Sequence, residues 1–237
     1  MLRGVYRGAY LNNQEETILK TVLFQGDSIT DCYRLRDNDK ADEDNFLGMG
    51  YPTLVKGRLG LDNPNEYKFL NRAYSGDRIV DVYARHKRDI INHSPDYMSL
   101  LVGVNDVWHE VDEKNGVDPV RFEQLYRMLL DDLFAALPGL KVMLMEPFFL
   151  PGSGTENCEE KPARGYTFAR EVPLRAEIVK KIAKDYKLEF VPLQHEISAA
   201  ASIAGNSAIL IDGVHPSAIG HEIIAREWMK HFEKIRG

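Results

Sequence analysis

Apolar residues fall into short runs of strand length separated by longer stretches with helical spacing. The first run, Thr21-Val22-Leu23-Phe24, is β-branched and aromatic and predicts a buried strand. Similar runs follow at Tyr67-Lys68-Phe69-Leu70-Asn71, Met98-Ser99-Leu100-Leu101-Val102, Lys141-Val142-Met143-Leu144-Met145 and residues 188–191. Between them the period lengthens. Residues 51–59 read as a helix, and Ile79, Val82, Tyr83, His86 and Ile90 recur at helical spacing. The clearest helix covers residues 120–137, where Phe122, Leu125, Tyr126, Leu129, Leu130, Leu133, Phe134 and Leu137 build one broad apolar face and Pro138-Gly139 ends it. Further helices are predicted over residues 167–186, 193–204 and 217–235.

Strands alternating with helices over the whole length predict a parallel sheet covered on both faces and joined by right-handed crossovers. The expected architecture is one α/β domain over residues 21–237, a three-layer α/β/α sandwich. Residues 1–20 are polar and weakly patterned and read as an arm or short hairpin, packed on the outside or on another subunit. Two long loops interrupt the alternation, residues 31–50, rich in Asp and Asn, and residues 147–165. Loops of that length in a compact domain are usually functional or disordered. The first is expected at the mouth of a site.

Composition narrows the function classes. Of the 237 residues, 44% are hydrophobic, enough for a sizeable core. The formal charge of −6, with no basic block, argues against nucleic acid as a partner. No apolar run reaches bilayer length and residues 1–20 lack a continuous apolar h-region, so the expected compartment is the cytoplasm, with no membrane partner. Cys32 and Cys158 do not make a disulfide framework and are expected to be free thiols, Cys32 being a candidate pocket-wall residue. The histidines outside the motifs below show no metal-ligand spacing, so no metal is expected; His109, near Asn105, is the one to inspect.

Chemistry-bearing residues cluster where strands end. Gly26-Asp27-Ser28 follows the first strand, at the carboxyl edge where open α/β sheets hold ligands, and makes Ser28 a candidate nucleophile. Taken alone, the same triplet also makes ordinary turns and helix caps. Ser75-Gly76-Asp77 follows the second strand, and a glycine there lets backbone approach a ligand. Gly103-Val104-Asn105-Asp106 follows the third; an asparagine amide can donate to a developing oxyanion, while Asp106 can cap the next segment or hold the loop. Asp212-Gly213-Val214-His215-Pro216 precedes the last helix, with Pro216 suited to its first turn and Asp212 three residues from His215. Together these fragments supply the parts of acyl transfer: Ser28 as nucleophile, His215 as general base, Asp212 as its orienting carboxylate, and Ser28 N–H, Gly76 N–H and the Asn105 amide as oxyanion donors. No cofactor is required.

These four blocks, in this order, resemble the SGNH (GDSL) hydrolase superfamily, from residue 21 to the last helix. The resemblance implies a flavodoxin-like sheet and assigns Ser28, Gly76, Asn105, Asp212 and His215 the same roles. Within the superfamily, Gly26-Asp27-Ser28-Ile29-Thr30-Asp31-Cys32, Gly48-Met49-Gly50-Tyr51, Asn105-Asp106-Val107-Trp108 and Val214-His215-Pro216-Ser217 with Gly220-His221 are similar to bacterial intracellular acetylxylan esterases. That likeness implies deacetylation of xylo-oligosaccharides or similar acetylated sugars, and a homo-oligomer. The departures are the longer N-terminal arm, Ala73 where such relatives often carry glycine, and an enlarged loop at residues 152–165. Asp27, Tyr33, Trp108 and Phe148, with Tyr166, are the candidate sugar contacts, since aromatic faces beside polar groups suit carbohydrate. Two alternatives stay open: a lysophospholipase or acyl-thioesterase on the same machinery, disfavoured by the acid- and Asn-rich residues 37–45, and a noncatalytic carbohydrate-binding protein, disfavoured by the intact Ser28, Asp212 and His215.

Overall fold

The computed structural model describes residues 19–36 and 46–236. The strands are β1 Lys20–Gly26, β2 Tyr67–Asn71, β3 Tyr97–Leu101, β4 Lys141–Met145 and β5 Glu189–Val191, all parallel and ordered β2-β1-β3-β4-β5. The helices are α1 Ser28–Asp31, α2 Tyr51–Asp62, α3 Ile79–Asp89, α4 Val104–Glu113, α5 Pro119–Ala136, α6 Arg164–Tyr186, α7 Gln194–Ala204, α8 Asn206–Ile209 and α9 Ala218–Ile235.

Both faces of the sheet are covered, which is why its strands read as continuous apolar runs rather than alternating ones. Val22 and Phe24 face α2 and α9, where Tyr51, Val55, Leu59, Trp228 and Phe232 are buried. Phe24 lies 5.4 Å from Trp228 and 5.8 Å from Tyr51, ring centre to ring centre. Leu23, between them in sequence, points to the opposite layer with Ile79 and Val82 of α3, Tyr126 and Leu129 of α5, and Val179 and Ile182 of α6. Burying an aliphatic or aromatic side chain of this size contributes roughly 1.5–3 kcal/mol, so the two layers hold the central strand from both sides.

The strand order reverses between β1 and β3, which run side by side with Phe24 opposite Ser99. The crevice at such a switch point, beyond the carboxyl ends, is where this architecture accepts ligands. Ser28 leaves β1 and Asn105 leaves β3 at that edge.

The expected strands and long helices occur, with ends shifted by a few residues. The helix expected at residues 120–137 starts at Pro119, because the Asp118 carboxylate accepts from the Val120 and Arg121 N–H groups at 3.0 and 3.1 Å. One long element was missed: α4 begins within the Gly103-Asn105 motif. Its apolar residues Val104, Val107, Trp108 and Val111 do carry helical spacing, but Asp and Glu surround them. The expected arm lies outside the described residues except for its last two, and so do residues 37–45 of the first loop. Among the described residues no helix is long and apolar enough to cross a membrane.

Candidate active site

Asp27 caps the four-residue helix that follows β1, its Oδ1 accepting the Ile29 N–H at 3.0 Å. Ser28 is therefore the first helical residue, with an N–H that has no partner within the helix. Asp27 itself is only 1% exposed, and its Oδ2 has no partner among the described residues. Burial pushes this carboxyl up to about 7, against the opposing effects of the Ile29 N–H and the nearby His215. Asp27, expected among the sugar contacts, does not line the pocket described below; it is buried next to Ser28 and caps the turn that carries the serine.

Near the other end of the chain, residues 210–216 fold back on themselves. Leu210 and Pro216 form an antiparallel bridge, and the Ile211 N–H donates to the His215 carbonyl at 2.8 Å. Within that turn Asp212 Oδ1 accepts the Val214 and His215 N–H groups, each at 2.9 Å. Its Oδ2 lies 2.6 Å from His215 Nδ1, and His215 Nε2 lies 2.9 Å from Ser28 Oγ. Residues 187 apart in sequence thereby meet. Pro216 does not enter the helix: Ser217 caps α9, its hydroxyl accepting from the Ile219 and Gly220 N–H groups at 3.1 and 3.3 Å.

The electrostatics follow from these contacts. Burial works against the charge of Asp212, but the His215 imidazole and the two N–H groups outweigh it and hold the carboxyl well below the usual carboxylate range. His215 is raised by its hydrogen bond to Asp212, which burial only partly offsets. Its Nδ1 keeps the proton, and Nε2 faces Ser28 as an acceptor.

The other motif residues gather at the same edge. Gly76 has φ of +88°, a left-handed conformation suited to glycine, in the turn after β2. Asn105, in the first turn of α4, donates from Nδ2 to the Asp77 carbonyl at 3.2 Å, which uses one of its two amide hydrogens. The side chain of His109, one turn further along α4, also faces the turn: a Cβ at Gly76 would lie 4.0 Å from its Nε2. Asp106 turns away from the edge and accepts the Ile79 N–H at 3.1 Å, joining the starts of α3 and α4. It is fully buried, which pushes its carboxyl up to about 7.

Ser28 and His215 open onto a pocket of about 780 Å³, walled by Asp31, Cys32, Tyr33, Arg34, Arg36, Ser75, Ile211, Pro216 and His221. Of the expected sugar contacts only Tyr33, 85% exposed, lines it. Phe148 is fully buried in the core, so its assignment is corrected: the loop after β4 turns it inward with Leu150. Trp108 is not in the pocket wall either; it packs 6.0 Å from the His215 ring and edge-on to Phe168, with its N–H on Asp112 at 2.8 Å. Tyr166 is 75% exposed and lies outside the lining. Sequence reasoning missed the arginines. Arg34 is buried, with Nε on the Ala73 carbonyl at 2.6 Å and its guanidinium 4.5 Å from the Tyr74 ring, and Arg36 pairs with Asp31.

Known proteins resemble this chain over most of its length. Residues 24–223 match the GDSL-like lipase/acylhydrolase family. An acetylxylan esterase from Geobacillus stearothermophilus is 33% identical over 224 residues, covering 91% of this chain and 95% of that protein. The crystal structure of an acetylxylan esterase from Geobacillus stearothermophilus superposes with a TM-score of 0.75 at 31% identity, over 91% of this chain and 95% of that one. A GDSL-like lipase from Parabacteroides merdae superposes with a TM-score of 0.80 at 30% identity, covering 92% and 98% of the two chains. With most of its length matched at the level of sequence and of fold, the chain belongs to the GDSL-like lipase/acylhydrolase family of ester hydrolases.

Proposed function

We propose that this protein is a serine esterase that removes acetyl groups from small acetylated carbohydrates, xylo-oligosaccharides or sugars like them. The observation that carries the reading is the unbroken hydrogen-bonded series Ser28 Oγ, His215 Nε2, His215 Nδ1, Asp212 Oδ2, at 2.9 and 2.6 Å, opening onto the pocket. Ser28 Oγ attacks the acetyl carbonyl carbon while His215 takes the hydroxyl proton. The oxyanion that forms is met by the N–H groups of Ser28 and Gly76 and by the remaining amide hydrogen of Asn105. Each such donor is worth roughly 100- to 1000-fold in rate. His215 then returns the proton to the departing sugar oxygen, leaving an acetyl-serine. Water, deprotonated by the same imidazole, attacks the acetyl-serine carbonyl; acetate departs and Ser28 recovers its proton.

The acetyl-sugar reading draws on the pocket wall as well as on the Geobacillus relative. Asp31, Arg34, Arg36 and Ser75 supply donors and acceptors for hydroxyl groups, with Tyr33 at the lip as a stacking face. A long acyl chain would instead need an elongated apolar groove. The test follows deacetylation of an acetylated xylo-oligosaccharide mixture by NMR, with Ser28→Ala as control. Acetate release that falls by at least about 10⁴-fold in the variant is expected. Equal release by both proteins would remove the serine mechanism, and a preference for dodecanoyl over acetyl esters would remove the substrate class.

A further inference from the structure

The loop after β4, residues 147–163, makes a second set of contacts with the Asp212–His215 turn. Leu150 N–H donates to the Gly213 carbonyl and Gly154 N–H to the Asp212 carbonyl, both at 2.8 Å. The approach is close: a Cβ at Gly152 would lie 2.7 Å from the Asp212 carbonyl carbon, and one at Gly154 would lie 2.7 Å from Trp108 Cη2. Thr155 Oγ1 ties the loop to itself through the Leu150 carbonyl at 2.6 Å.

One carboxylate on α4 adds a further anchor for that loop. Asp112 Oδ2 accepts the Trp108 indole N–H at 2.8 Å, and Oδ1 takes both Lys161 and Arg164. Arg164 also donates to the Gly154 carbonyl at 3.0 Å. The contacts close a circuit: Asp112 to Trp108, whose ring lies against His215, and Asp112 to Arg164, to Gly154, to Asp212. Burial opposes the charge of Asp112, but Lys161, the Trp108 N–H and Arg164 overcome it and hold the carboxyl below the usual range.

We propose that Asp112 is a positioning residue for the reaction: through Trp108 on one side and the 150–164 loop on the other, it sets the orientation of Asp212 and His215 relative to Ser28. The inference rests on reading His215 as the general base. Ion pairs as exposed as those at Asp112 add little to stability, whereas a displacement of about 1 Å at a catalytic group can cost about 100-fold in rate. The circuit therefore acts on geometry more than on folding. Among the described residues, the ionisable groups facing His215 are Asp212 on its own turn, Asp27 next to Ser28, and Asp31, Cys32, Arg34, Arg36 and His221 around the pocket. Replacing Asp112 alters none of them directly.

The experiment measures kcat and KM for 4-nitrophenyl acetate from pH 5 to 8, with melting temperatures, in wild type, Asp112→Asn and Asp112→Glu. Expected are a fall of about 10- to 100-fold in kcat for Asp112→Asn with little change in KM, a melting temperature within about 3 °C of wild type, and partial recovery in Asp112→Glu. The acidic limb of the profile should move to lower pH, because a loosened Asp212 no longer holds His215 as far above its ordinary value. Wild-type kcat and limb in Asp112→Asn, or a rate loss that tracks unfolding with the limb unmoved, would overturn the proposal. Should Asp112→Asn not fold, Trp108→Phe keeps an aromatic, though smaller, ring and removes the N–H; the same displacement of the limb, smaller in size, is expected, and an unmoved limb overturns the proposal. Full activity in Ser28→Ala would instead reject the underlying role of His215, a result distinguishable from both.

Discussion

Two imidazoles reach the same pocket, each touching a residue able to act as a nucleophile, and only one is arranged to activate it. His215 Nε2 lies 2.9 Å from Ser28 Oγ, and His221 Nε2 lies 3.4 Å from Cys32 Sγ, four residues further along the chain. The difference is behind the rings. His215 Nδ1 faces the Asp212 carboxylate, so Nδ1 carries the proton and Nε2 is free to accept one. His221 Nδ1 instead accepts the Tyr51 backbone N–H at 3.2 Å, so in the neutral ring Nε2 carries the proton and donates it toward sulfur. Burial lowers His221 to about 4, helped by the charge of His215, while burial raises the Cys32 thiol despite the Met49 N–H. The second pair is neutral, and through Cys32 and the Tyr51 N–H the His221 ring joins the end of α1 and the start of α2 to the last helix. A nucleophile beside a histidine is therefore not a catalytic pair until something tells the ring which nitrogen to protonate.

The sharpest way to break this contrast is to convert the first pair into the second. In Asp212→Asn an amide can donate to His215 Nδ1 where a carboxylate accepted, which moves the imidazole proton to Nε2 and turns it against Ser28. We expect kcat to fall by on the order of 10⁴-fold with the fold retained, since the wrong tautomer cannot take the serine proton. Steady-state kinetics with circular dichroism as a folding control decide it. A loss of less than tenfold would mean that the carboxylate does not set the tautomer.

A smaller effect is expected from pH. Only neutral His215 can serve as base, and Asp212 raises its pKa above the ordinary value of 6.5. Lowering the pH converts it to the inactive imidazolium, so kcat/KM should decline with a midpoint above 6.5. Below that midpoint the decline should approach tenfold per pH unit. His221, held near 4, stays neutral over the same interval and contributes no limb there. A profile flat from pH 5 to 8 would count against His215 as the base.

The same contrast explains how far the chain could be read before it was folded. Strands such as residues 21–24 were legible because burial on both faces leaves no polar interruption, and the long helices because their apolar stripes outrun any loop. Ser28, Asp212 and His215 were legible as residue types at strand and helix ends, although nothing in their spacing measures the approach of residues 187 apart. What escaped was direction. Phe148 and Tyr33 are both aromatics in loops next to the motifs, yet one is turned into the core and the other to the pocket lip. Arg34 and Arg36 went unremarked, since nothing in the sequence separates them from the solvated guanidinium groups usual near Asp and Asn. The stacking of Arg34 and Arg36 on the Tyr74 face, at 4.5 and 5.1 Å, depends on a partner from another strand end. His221 was quoted only as part of a resemblance. Its role became visible with the Tyr51 N–H, a backbone donor that no pattern of side chains announces.

The smallest expected effect tests the second pair directly. If Cys32 is a structural acceptor for His221, Cys32→Ser keeps an atom that can accept the Nε2–H, and activity on acetyl esters should stay within about threefold of wild type. Cys32→Ala removes the acceptor and leaves a buried N–H short of a partner. The open pocket admits water to that position, so the cost should fall at the low end of the range for such groups, about 1 kcal/mol. For a chain of this size that corresponds to a melting temperature lower by about 2–4 °C, with kcat little changed. Thermal unfolding of the two variants side by side separates the roles. A catalytic Cys32 would instead lose activity in both without the ordered change in stability, and the distinction drawn between the two imidazoles would fail.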